Sequence, residues 1–176
     1  MIDIPGVKTF PLTRIINPEN ITFGKNIIID DFTLIHARGE IIIGDYVHIA
    51  CFTSLTGGAK ITLGDFVGIS QGCRILSATD DFKHWGIGNS SVPEEYRNVT
   101  RAPITIGRFV VIGANSVVLP GVTIGEGAAI GAGSVVTRDL EPWGVYIGNK
   151  KIRERDREGV MKNYERFLED QRSNKS

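Results

Sequence analysis

The sequence predicts an all-β solenoid folded as a single domain, and three observations predict it. First, aliphatic residues or Phe recur every sixth position. The run is Phe23, Ile29, Ile35, then Ile43, Ile49, Leu55, then Leu63, Ile69, Ile75 and, after a break, Ile106, Ile112, Val118, Ile124, Ile130 and Val136. A period of six is neither helical nor a plain strand alternation. It fits a repeat of one short strand plus a turn, with three units per coil. Second, a longer period of eighteen shows in residue identity. Gly follows the first anchor of each coil at Gly24, Gly44, Gly64, Gly107 and Gly125, where a tight corner favours a residue without a Cβ. Third, the position two before an anchor depends on the side. It is branched before the first anchor (Ile21, Ile41, Ile61, Ile104, Val122) and small before the third (Thr33, Thr53, Cys73, Ser116, Ser134). Equivalent sides therefore stack, about five coils deep, around an aliphatic column.

The elements follow in order. Residues 1–20 carry Pro5, Pro11 and Pro18 and no period, and read as an irregular leader covering the open end of the first coil. Residues 21–149 form the β-helix. Near Ala37-Arg38-Gly39 and Gly57-Gly58-Ala59 two residues are added, each time at the same corner. Between Ile75 and Ile106 the period breaks, and residues 76–103 form a long inserted loop rich in polar and turn-forming residues. An insert of this length in a compact domain is usually functional. Pro142 and Gly144 end the regular part, and residues 150–172 form a tail and a C-terminal α-helix. Val160, Met161, Tyr164, Phe167 and Leu168 share one face of that helix, which packs on the solenoid or on a neighbouring subunit.

Formal net charge is zero, which argues against nucleic-acid binding. No apolar run approaches the ~18 residues of a membrane span. MIDIPGVKTF has no basic segment followed by an apolar one, so no signal peptide is expected and a cytoplasmic location is. Cys51 and Cys73 fall in different coils, and Cys73 takes an inward position, as a small buried thiol.

With the anchors, PGVTIG at Pro120–Gly125, GAGSVVT at Gly131–Thr137 and GVYIGN at Gly144–Asn149, the chain resembles the hexapeptide-repeat acyltransferases. Within them it looks most like the sugar N- and O-acetyltransferases of surface-polysaccharide (lipopolysaccharide) synthesis. The resemblance implies a left-handed parallel β-helix, a homotrimer, acetyl-CoA as donor, a small-molecule sugar acceptor, possibly nucleotide-linked, and active sites between subunits beside a protruding loop. It places the CoA pantetheine against Gly113, Ala114, Gly131 and Ala132, and the CoA amides and phosphates near Thr137, Arg138, Lys150 and Lys151. A basic residue beside phosphate is physically apt, and solvated surface charge is the alternative reading of Lys150 and Lys151. Lys150 and Lys151 follow Asn149 directly, so the Pro-Ala of related enzymes is missing.

A second departure lies in the loop. Asp80 stands where galactoside- and maltose-type O-acetyltransferases carry a catalytic His, and the nearest His is His84. A sugar hydroxyl needs a base such as His, with a pKa near ~6.5. An amino-sugar amine is only partly protonated at neutral pH and can attack with modest help, from a carboxylate that orients it or accepts its proton. Asp80 therefore favours N-acetylation of a nucleotide-linked amino sugar, and His84 keeps O-acetylation with a His base as the alternative. Asp81 is the third catalytic candidate, and loop capping or an Asx turn is the alternative role for both Asp residues. Trp85 and Tyr96 are candidates for stacking on a base or sugar ring, or for anchoring the loop. His36 and His48 point outward and read as surface or interface residues. No metal site is expected. A γ-carbonic-anhydrase-like zinc enzyme needs three His ligands at an interface, and the three His here are poorly spaced for it. A non-catalytic assembly module is the remaining class.

Overall fold

A computed structural model describes residues 4–173; the first three residues of the leader lie outside them. The chain winds as a triangular prism of short parallel strands. The first side stacks Ile21–Phe23, Ile41–Ile43, Ile61–Leu63, Ile104–Ile106 and Thr123–Ile124. The second runs from Val7–Thr9 through Ile27–Ile29, His48–Ile49, Gly68–Ile69, Val111–Ile112 and Ala129–Ile130 to Gly144–Ile147. The third stacks Arg14–Ile16, Leu34–His36, Ser54–Thr56, Arg74–Leu76, Val117–Val118 and Val135–Val136. Register is in step throughout, as in Ile41↔Ile61 and Ile61↔Ile104 across the long insert.

Fourteen of the fifteen anchors are buried, and only Phe23, near the first end, is partly so. The branched residues of the first side are buried with them. The small residues of the third side serve the backbone. Thr33 Oγ1 donates to the Ala50 carbonyl and Thr53 Oγ1 to that of Ser70, each one coil on (3.2 Å). Cys73 Sγ reaches the Gly113 carbonyl at 3.3 Å, and burial raises its thiol pKa.

The solenoid is longer than the five coils read from the sequence: it makes about seven turns. The leader is not irregular. Val7–Thr9 pairs in parallel with Ile27–Ile29, and Arg14–Ile16 with Leu34–His36, a partial coil hidden from the period by its prolines. At the other end Gly144–Ile147 adds to the second side and folds back on Lys150–Glu154 as an antiparallel hairpin.

The corner glycines have a different cause from the one the sequence suggests. Gly24, Gly44, Gly64, Gly107 and Gly125 have ordinary φ values. What excludes a side chain is the next coil: a Cβ at Gly44 would lie 2.8 Å from the Asp65 nitrogen, and one at Gly64 2.6 Å from that of Arg108. The left-handed residue of the corner comes two positions later and is often aromatic: Tyr46, Phe66 and Phe109, with φ of 57, 60 and 61°. Their rings stack outside the prism at 5.0 and 5.2 Å. Such stacking helps offset the ~1–2 kcal/mol that a left-handed non-glycine residue costs.

The C-terminal helix α1 (Arg157–Ser173) docks on this aromatic column. Phe167 meets Tyr46 and Phe66 edge-on, and Tyr164 meets Phe66 and Phe109. Arg155 enters beneath it and donates to the Phe109 and Gly127 carbonyls, and Asp156 caps the helix through the Gly159 N–H. Among the described residues, no helix is long and apolar enough to cross a membrane.

Candidate functional site

The long insert leaves at the corner between the third and first sides, where the two small insertions also lie. Ser77 closes the coil beneath it: its N–H donates to Thr56, and its carbonyl accepts from Ala102. The excursion proper is therefore residues 78–101. Ala78–Thr79 pairs antiparallel with Thr100–Arg101 as a stem.

Asp81 holds the excursion together. Its Oδ1 accepts the Lys83 and His84 N–H groups (2.8 Å each), and its Oδ2 accepts from Gly86 N and Asn98 Nδ2 (3.0 and 3.1 Å). These bonds, led by that from Lys83, hold its carboxyl far below the usual carboxylate range. Asp80 pairs with Arg97: Nη2 lies 2.8 Å from Oδ1, and the Arg97 side chain is only 17% exposed. The guanidinium Nε is buried without a partner. Among the described residues, the His84 imidazole meets no carboxylate. The aromatic side chains face out: Phe82 is 88% exposed, Trp85 67% and Tyr96 56%. The structure thus puts Asp80, Asp81, His84, Trp85 and Tyr96 on one excursion, with different surroundings for each.

The residues expected to hold CoA fall into two groups on opposite edges of the third side. Gly113, Ala114, Gly131 and Ala132 line the corner before it. A Cβ at Gly113 would lie 2.5 Å from Ala132 N, so neighbouring coils alone require that glycine. Thr137, Arg138, Lys150 and Lys151 lie beyond the other edge. Asn149 clamps Thr137 there, accepting its N–H (2.9 Å) and donating to its Oγ1 (2.6 Å). Arg138, Lys150 and Lys151 border a cavity of about 390 Å³. Lys151 is bound to Glu154 at 2.6 Å, which raises its pKa, while Lys150 stands exposed on the hairpin.

One of the expected CoA residues, Ala114, also borders a cavity whose other residues sequence reasoning missed. This cavity of about 460 Å³ opens on the second side, and His48, Asp30 and Ser70 border it. His48 Nε2 lies 3.0 Å from Asp30 Oδ2. The signal was the loss of side-chain bulk at outward positions Ala50 and Gly68, which the search for inward anchors passed over. Among the described residues, no three His, Cys, Asp or Glu side chains converge as a metal site.

Residues 103–138 match the family model described as "Bacterial transferase hexapeptide (six repeats)". The dTDP-4-amino-4,6-dideoxy-D-glucose acyltransferase of Escherichia coli is 42% identical over 142 residues, which is 79% of this chain and 74% of that one. The structure of AntD, an N-acyltransferase from Bacillus cereus in complex with dTDP and 3-hydroxybutyryl-CoA, superposes with a TM-score of 0.88 at 37% identity. It covers 95% of this chain and 89% of AntD. Other AntD structures carry a replaced serine, two of them with dTDP-4-amino-4,6-dideoxyglucose and coenzyme A, or a replaced aspartate ten residues further on. A maltose O-acetyltransferase from Clostridium difficile, at 24% identity and a TM-score of 0.56, shares the fold; the match covers 85% of this chain and 67% of that one. The chain belongs to the hexapeptide-repeat acyltransferases, and acyl transfer is its chemistry.

Proposed function

We propose that the chain transfers an acetyl group from acetyl-CoA to the amino group of a dTDP-linked amino-deoxy sugar, as a step in cell-surface polysaccharide synthesis. The observation that carries this reading is the pair Ser70 and Asp80. They are the one Ser and Asp in this sequence with the separation of the two residues replaced in AntD. Ser70 borders the cavity of the second side, and its hydroxyl is free of hydrogen bonds among the described residues. Asp80 is held by Arg97 on the excursion. A carboxylate held in place by a guanidinium is a well-oriented acceptor for an amine N–H. An amine needs orientation more than deprotonation, whereas a hydroxyl needs a base. His84, exposed and without a carboxylate to fix its tautomer, is poorly placed for the second task.

Ser70 and Asp80 sit on opposite edges of the third side, with strand Arg74–Leu76 between them. One acceptor reached by both takes Ser70 from one copy and Asp80 from the next. Such a contact pairs unlike edges, which gives a closed ring where the rotation closes, and with three-sided prisms we take that ring to be of three. Leu12, Phe32 and Phe52 supply an apolar seam at the corner before the third side. The Phe rings stack 5.0 Å apart and are 53% and 55% exposed. Under this reading the homotrimer completes the site, and the two groups of CoA residues meet across the same seam. Trp85 and Tyr96 then reach toward the neighbour's acceptor.

Thiol release from acetyl-CoA, measured against dTDP-4-amino-4,6-dideoxyglucose, other nucleotide-linked amino sugars and plain sugars, tests the proposal. Turnover is expected with the amino sugars only. Asp80→Asn should lose more than ~10-fold and His84→Ala ~10-fold or less. A loss of ~10²–10⁴-fold in His84→Ala, the scale of general-base catalysis, would transfer the reaction to a hydroxyl acceptor. Sedimentation should give a trimer, and a fully active monomer would overturn the shared site.

A further inference from the structure

The cavity of the second side exists because two outward positions lack bulk. From coil to coil the outward strand position runs Ile28, His48, Gly68, Val111, in register. The corner position beside it runs Asp30, Ala50, Ser70, Gly113, tied by N–H groups to Ile49, Ile69, Ile112 and Ile130. At Gly68 and Ala50 the wall drops back, and His48, Asp30, Ser70 and Val111 stand around the gap.

Gly68 is unlike the corner glycines. Its φ is ordinary, and a Cβ there would meet nothing within 4 Å. Neither backbone conformation nor packing within the chain calls for glycine at this position. The room it leaves faces outward, between polar groups of fixed orientation. The Asp30 carboxylate, 3.0 Å from His48 Nε2, selects the tautomer with hydrogen on that nitrogen, which leaves the Nδ1 lone pair free to accept. Ser70 adds a free hydroxyl, and Val111, 40% exposed, adds an apolar wall. A few oriented polar groups around a small apolar recess are the makeup of a site for a compact polar ring.

We propose that this cavity is the subsite for the acceptor's sugar ring, with His48, oriented by Asp30, accepting a hydrogen bond from the sugar and Gly68 giving the ring its room. The proposal rests on the amino-sugar reading above. It adds two residues that touch or position the acceptor, His48 and Asp30, and a size filter at residue 68. The filter favours rings without bulk on the face laid against Gly68.

The test is steady-state kinetics with dTDP-4-amino-4,6-dideoxyglucose and acetyl-CoA. Gly68→Val fills the recess where the chain has open space, so the protein should fold and sediment as the wild type does. Its KM for the sugar nucleotide should rise by at least ~10-fold, with the KM for acetyl-CoA within about twofold. His48→Ala should raise the acceptor KM by ~3–10-fold, the worth of one hydrogen bond, and His48→Asn, which keeps an acceptor, should recover part of it. Asp30→Asn should act in the same direction more weakly. An active wild type with an unchanged acceptor KM in folded Gly68→Val would overturn the subsite while leaving the reaction class standing. A wild type that acylates no amino-sugar nucleotide would overturn both.

Discussion

Asp45 and Asp81 perform the same local task in two different regions. Asp45 Oδ1 accepts the Lys25 N–H one coil back, and Asp65 Oδ1 accepts the Asp45 N–H in turn (2.7 and 2.8 Å). Each carboxylate is one rung in a stack that also includes parallel strand pairing and buried aliphatic anchors. Asp81 gathers four N–H donors of residues 83–98 into one carboxylate, with only a two-residue strand pair beneath it. In the prism, order is shared among neighbouring coils, as in other repeat structures. In the excursion it is concentrated in one side chain. The comparison implies that damage to the prism is global and graded by packing, while damage to the excursion is local.

The largest expected effect lies at an anchor. Ile112 is fully buried between Ile69 and Ile130. Ile112→Asp puts an unpaired charge into an aliphatic column, and soluble folded protein should not be recovered. Ile112→Ala should fold with a loss of about 2–5 kcal/mol in denaturant unfolding. Soluble Ile112→Asp with native circular dichroism would refute the view that coils share their stability.

The next effect separates two kinds of glycine. Gly64→Ala pushes a methyl group onto the Arg108 backbone and should cost about 1–3 kcal/mol. Gly68→Ala, into open space, should stay within ~0.5 kcal/mol. Equal losses in thermal unfolding would mean that the stacking distance between coils is soft.

How much of this was legible beforehand follows from the same contrast. The anchors, the inward Thr33 and Ser116 and the added corner residues repeat, so burial could be read from period alone. The leader hid because Pro5 and Pro11 break its pattern, although Ile15 takes its place in the core. Gly44 was placed at a corner for the wrong reason, since close approach of the next coil leaves no trace in its own neighbours along the chain. Asp80 and Asp81 look alike as adjacent letters. Only folding shows that one pairs with Arg97 and the other binds four donors, because those partners lie up to seventeen residues away. Ser70 and His48 were passed over because a cavity made by absent side chains has no residue to announce it.

Asp81→Asn should leave the prism intact and loosen residues 78–101. The amide keeps one acceptor oxygen where the carboxylate had two, so several of the four bonds weaken together. Limited proteolysis should cut near Lys83 in the variant and not in the wild type, with the main unfolding transition moved by no more than ~2 °C. A large shift in that transition would show that the excursion supports the coils, contrary to the comparison.

The smallest effect is a titration, and its sign is fixed. The Asp81 carboxyl is held below its ordinary value by its hydrogen bonds. A depressed carboxyl stabilises the folded form above its unfolded pKa, near ~3.9. That contribution declines as pH falls below that value and is gone once pH has dropped through the depressed one. Trp85, four residues from Asp81 and largely exposed, reports on the excursion. Its fluorescence anisotropy should hold steady from pH 7 to about 4 and fall only in stronger acid. In Asp81→Asn the anisotropy should be low from neutral pH and show no such acid limb. Because the order of the excursion rests on one carboxyl, a single-proton limb is expected. A steeper, many-proton transition coinciding with loss of strand signal would mean that excursion and prism come apart together.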